Sequence, residues 1–275
     1  MKYTLQSFKY VIKNFIYLLP FAILPAILLS FSTDEEAVVH VMDAVFAKDI
    51  SRWTFFMLFR AISVLNFGSW QSLVFGILGI ILIVPCVALM MALLEKHFRI
   101  GRRTFNGIWS RLNDNFVSTL WYAVCLVVLY EVWALVCSAI LFVLSRIDAP
   151  WIMFTLAPAV FFAMHLVLLY GIGVFYLWLP CMQMTGFRTF EALRYSNRLM
   201  APAKWKILFA QMVFMIVTEV LICLCAIYIP NIIVFTVLTT LLYLVMLMVY
   251  CVRMQIAYFD LDHIERADLA RYYGK

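Results

Sequence analysis

Long apolar runs separated by short polar stretches recur along the whole chain. Six of them, about Phe15–Phe31, Gln71–Leu94, Phe116–Leu144, Trp151–Met182, Trp205–Ile229 and Ile232–Phe259, are continuous or nearly so. A helix needs roughly 20 mostly apolar residues to cross the hydrocarbon of a bilayer. The pattern therefore predicts an all-α polytopic membrane helix bundle with six transmembrane helices, a single integral membrane domain over residues 1–275. The first run carries Pro20 and Pro25 and lacks a small-residue cleavage site, which fits a kinked membrane helix better than a cleaved leader.

A further stretch, "WTFFMLFRAISVLNF" at 53–67, is apolar but has Arg60 in its middle. As a seventh span it would turn the basic loop that follows Leu94 to the wrong side. It reads as an amphipathic helix lying on, or dipping into, the outer face.

Composition agrees. Of the 275 residues 66% are hydrophobic and 13% charged, against about 25% charged in ordinary soluble domains. The cations are also sorted. Lys2, Lys9 and Lys13, then Lys96, Arg99, Arg102, Arg103 and Arg111, then Arg188, Arg194, Arg198, Lys204 and Lys206, and finally Arg253, Arg266, Arg271 and Lys275 fall on one side, leaving only Lys48, Arg52, Arg60 and Arg146 on the other. The positive-inside rule then places both termini in the cytoplasm. A net charge of +6 is accounted for by this topology and by anionic lipid headgroups, so membrane lipids are expected partners and nucleic acid is not.

Candidate chemistry outside the spans is sparse. All seven cysteines lie in the apolar runs, unlike a secreted disulfide framework. Cys223 and Cys225 point to different helix faces and make a poor metal site. There is no H-E-x-x-H, Walker loop or G-x-S-x-G, and "DLDHIERAD" from Asp260 matches no metal spacing. Neither an enzyme, a cofactor nor a metal is expected.

The chain also echoes itself. "YTLQSFKYVIKNF" from Tyr3, "RTFNGIWSRLNDNF" from Arg103 and "RTFEALRYSNRLM" from Arg188 each place Thr before Leu or Phe, then a small residue and an apolar one. "VPCVALM" at 84, "LPCMQMT" at 179 and "YCVRMQI" at 250 echo one another as well. The expected unit is an interfacial helix, a span out and a span back, repeated over 1–100, 101–185 and 186–275.

"LPCMQMTGFRTFEALRYSNRLMAPAKWKIL" carries Pro180, Ala192-Leu193, Ser196 and Lys204-Trp205-Lys206. In this it resembles bacterial six-span proteins of the glycerophosphodiester phosphodiesterase membrane-domain type. "RTFNGIWSRLNDNFVSTLWY" is similar to the matching stretch of YesL-like membrane proteins. The likeness covers about residues 80 to 215. It implies a membrane module of the bacterial cytoplasmic membrane, often presumed to help transport, and it transfers no catalytic residues.

Three ionisable groups sit deep in the runs. Glu131 is about 15 residues into the third, Glu219 about 14 into the fifth and His165 about 14 into the fourth. Insertion scales put a central charged residue at roughly +2.5 to +3.5 kcal/mol. The two glutamates hold similar repeat positions, so they are expected at one depth and facing each other or a polar cavity, not lipid. That pair, with His165, Tyr130, Gln211 and Thr218 as companions, is the candidate proton or cation site. Arg253, near the inner end of the last run, is expected to snorkel to the interface. The function expected is a small permease or a subunit accessory to a partner transporter. The alternative is a scaffold that transports nothing and binds lipid or a partner protein.

Overall fold

A computed structural model describes residues 2–147, 149, 155–229 and 231–269. Ten α-helices order these residues: α1 (Lys2–Ser32), α2 (Glu35–Phe46), α3 (Phe55–Ile62), α4 (Trp70–Ile100), α5 (Ile108–Ser145), α6 (Ala157–Phe175), α7 (Trp178–Thr185), α8 (Thr189–Met200), α9 (Lys204–Tyr228) and α10 (Ile232–Leu261). No strand occurs among the described residues. Six segments are long and apolar enough to cross a membrane: α1, α4, α5, α6 with α7, α9 and α10. The six apolar runs are thus six helical segments, and the chain is a multi-pass membrane protein by length and composition.

α4 is the most enclosed helix. Of its most apolar window 56% is buried, against 28–33% for the others. It packs with α1, α5 and α10, and α1 lies along α10. The start of α1 and the end of α10 meet at one end of the bundle, where Asp260 accepts hydrogen bonds from Lys2 and Tyr3. The larger core cluster lies among α1, α4, α5, α7, α8, α9 and α10, and includes Leu18, Met90, Leu94, Tyr122, Tyr176, Met248 and Phe259.

At the opposite end α2 and α3 form a cap. Asp34 starts α2 by accepting from the Ala37 amide and also binds Arg60 Nε at 2.7 Å. Thr54 caps α3 through the Met57 amide. The stretch 53–67 does dip into the bundle: Leu58 is buried and packs in a second core with Trp53, Trp133, Ala134, Cys137 and Leu168. A strap, residues 63–69, then leads back to α4. It passes so close to Arg60 that a Cβ on Gly68 would lie 2.3 Å from the guanidinium.

The three entries that echo in sequence take three forms. α1 kinks at Asn14, whose φ of −120° and ψ of 17° are not helical. The second entry runs straight into the 38-residue α5. The third is a separate helix, α8, ahead of α9.

The prolines of the return spans also act differently. α4 runs through Pro85 unbroken. The fourth span is interrupted between α6 and α7, at Tyr176 and Leu177. Pro180 accounts for the interruption, because a proline ring collides with the carbonyl four residues earlier, here that of Tyr176.

Candidate functional site

Two polar centres lie inside the bundle. The first is built from α3, α5, α6, α9 and the strap.

Glu131 stands on α5, 14 residues short of its end at Ser145, roughly 21 Å at helical rise. Its carboxylate accepts from the Ser63 hydroxyl at 2.7 Å and from the Val64 and Leu65 amides at 3.1 and 3.3 Å. On the preceding residue, the Tyr130 hydroxyl donates to the Ile62 carbonyl at 3.0 Å. Ser32 completes the hold by donating to the Val64 carbonyl and accepting from the Asn66 amide. Irregular backbone at membrane depth survives only where the protein satisfies its polar groups. Glu131 supplies that satisfaction for the strap.

His165 on α6 is 1% exposed. Its ring packs edge-on between Trp133 and Phe161, with centroids 4.9 and 4.4 Å away. Nδ1 lies 3.0 Å from the Phe161 carbonyl. A carbonyl can only accept, so Nδ1 carries a hydrogen. Nε2 faces the Glu219 carboxyl of α9 at 3.0 and 3.1 Å. A proton must stand in that contact. It sits on Nε2, giving an imidazolium and a carboxylate, or on the acid, giving a neutral pair. The pair is therefore a one-proton site. Burial is uneven, with the His165 side chain 1% exposed and that of Glu219 33% exposed.

Of the sequence-predicted residues, His165 and Glu219 are brought into contact. Tyr130 joins them through its ring, 5.3 Å from that of Trp133, and lies within electrostatic reach of both Glu131 and Glu219. The two glutamates have separate partners, and no hydrogen bond joins them among the described residues. Thr218 bonds back to the Phe214 carbonyl of its own helix. Gln211 is buried with its amide oxygen unpartnered. Among the described residues no cluster of His, Cys, Asp and Glu suits a metal ion.

Sequence reasoning missed Ser63, Ser32, Trp133 and Phe161. Ser63 and Asn66 in "AISVLNF" were the available signal, two polar residues ending an apolar stretch.

The second centre corrects an expectation. Arg253 does not snorkel: it is 0% exposed, and its Nε donates to the equally buried Tyr176 hydroxyl at 3.0 Å. The reason is position. Its neighbours along α10, Val252 and Met254, belong to the larger core, and packing there leaves its side chain no exposed surface. Both its Nη1 and Nη2 lack a partner.

The chain matches no protein-family model, no curated protein and no solved structure.

Proposed function

We propose that this protein is a small membrane carrier, or a subunit accessory to one, that takes up and releases one proton at the His165–Glu219 pair. The observation that carries the reading is the 3.0 Å contact between a buried imidazole and a part-exposed carboxyl inside the bundle. Ionisable groups at such depth mark ion or proton pathways by default. The bipartite surroundings support it. His165 is locked by Trp133, Phe161 and a carbonyl, while the Glu219 side chain stays part-exposed. Glu131 serves the site indirectly, by holding the strap that closes the α2–α3 end. The sorted cations support an orientation with both termini in the cytoplasm and the cap outside.

A specific observation also favours the second reading, a scaffold that transports nothing: all of Glu131's polar contacts hold the strap. One experiment separates the two. Protein is reconstituted in liposomes containing a trapped pH dye, and a pH step is applied with the membrane potential clamped. A carrier acidifies the lumen, and Glu219→Gln abolishes the flux while the protein remains folded. Equal leak from wild type, Glu219→Gln and empty liposomes would leave only the scaffold.

A further inference from the structure

We infer that Arg253 is the anchor of an anion-binding site that takes a singly charged oxyanion, a carboxylate or a phosphate group. Three observations converge on it.

The first is chemical. A guanidinium has five N–H donors in a planar fork. Nε is engaged by Tyr176. The edge formed by Nη1 and Nη2 is buried and unpartnered. That edge presents two parallel N–H groups, the geometry that carboxylate and phosphate oxygens accept in bidentate fashion.

The second is electrostatic. A buried charge stripped of a partner is strongly destabilising. Among the described residues none of the ion pairs involves Arg253. The polar groups shown around it are phenols. Tyr176 is bonded to it, Tyr250 stands edge-on to Tyr176 at 5.5 Å, and the Tyr122 and Tyr250 hydroxyls are 2.6 Å apart. Phenols donate as well as accept, so they can share an anion's oxygens, yet they supply no negative charge. One positive charge calls for one negative charge, hence a monoanion.

The third is architectural. The fourth span is broken at Tyr176 and Leu177, beside this guanidinium. Interrupted membrane helices recur at transporter binding sites, because half-helix ends and the unwound backbone between them present polar groups to the ligand. α7 is the short half, at eight residues.

As the cargo site of a carrier, this site rests on the function proposed above; as a binding site it does not. The test therefore reads binding alone. Wild type is placed in phosphatidylcholine nanodiscs, and its thermal midpoint is measured with sodium acetate, with inorganic phosphate, or with phosphatidylglycerol mixed into the disc, against sodium chloride at equal ionic strength. At a hundredfold excess over Kd the midpoint rises by about 5 °C, and Arg253→Gln removes the rise. A response to acetate or phosphate identifies a free anion. A response to phosphatidylglycerol alone identifies a lipid headgroup. Should Arg253→Gln not fold, Tyr176→Phe keeps the cation but frees Nε, and the effective anion concentration rises about tenfold. No response to any of the three, an equal response in Arg253→Gln, or an unchanged response in Tyr176→Phe where Arg253→Gln does not fold, overturns the site. Binding is read without a pH gradient, so its loss would leave the His165–Glu219 reading standing, and the reverse holds too.

Discussion

Nε2 of His165 stands 3.0 Å from Oε2 of Glu219, joining α6 to α9 in the interior of the bundle. The contact makes a structural demand as well as a chemical one, since His165 has no room to find another partner between Trp133 and Phe161. Glu219→Leu strands Nε2 and should cost about 1–3 kcal/mol. Glu219→Gln offers an amide donor to the Nε2 lone pair and should cost well under half of that. Thermal unfolding in detergent compares them. Equal losses from the two variants would mean that the imidazole does not depend on this contact.

Glu131 holds two backbone amides and a hydroxyl of the strap. Glu131→Ala leaves the Val64 amide without an acceptor, while the Leu65 amide keeps Ser63 Oγ and the Ser63 hydroxyl keeps the Leu65 carbonyl, and about 1–3 kcal/mol of stability should go with it. Hydrogen exchange at Val64 and Leu65 should accelerate by one to two orders of magnitude, about 1.4–2.8 kcal/mol. Exchange unchanged at these amides would show that the strap is held by Ser32 and packing alone.

Orientation is testable at the loop between α4 and α5. Asn106 is exposed there, and unlike Gly107, whose φ is 73°, it does not need a left-handed backbone. In a background without other cysteines, Asn106→Cys should react with membrane-impermeant maleimide only after the cells are opened. Labelling of intact cells would reverse the topology.

Tyr195 on α8 donates to Asp262 just past α10. That hydrogen bond, reinforced by burial and by the negative charge, favours the neutral phenol and pushes its pKa up from 10.0 to about 12. Asp262→Asn removes the charge, so the phenol should ionise closer to pH 10. The folded-state pKa is the higher one, so the contribution to stability is complete below pH 10 and is lost as pH rises through about 12. Ultraviolet difference titration against Tyr195→Phe measures it. Identical titration curves with and without Asp262 would contradict the assignment.

The sequence alone determined the number and place of the spans, because a bilayer imposes a length and an apolarity that any one segment must meet by itself. It also determined that Glu131, His165 and Glu219 lie deep, since depth is distance along a helix. Only the tertiary structure decided what each meets. Glu131 bonds to residues 66 to 68 positions away, His165 to one 54 away and Arg253 to one 77 away. Such contacts depend on how each helix is rotated and on where the chain breaks. Apolar runs carry little rotational signal in a membrane, where lipid and neighbouring helices are equally apolar. The same property makes Arg253 look like a snorkelling end residue in sequence, while tertiary packing buries it fully and sets its Nε against the Tyr176 hydroxyl.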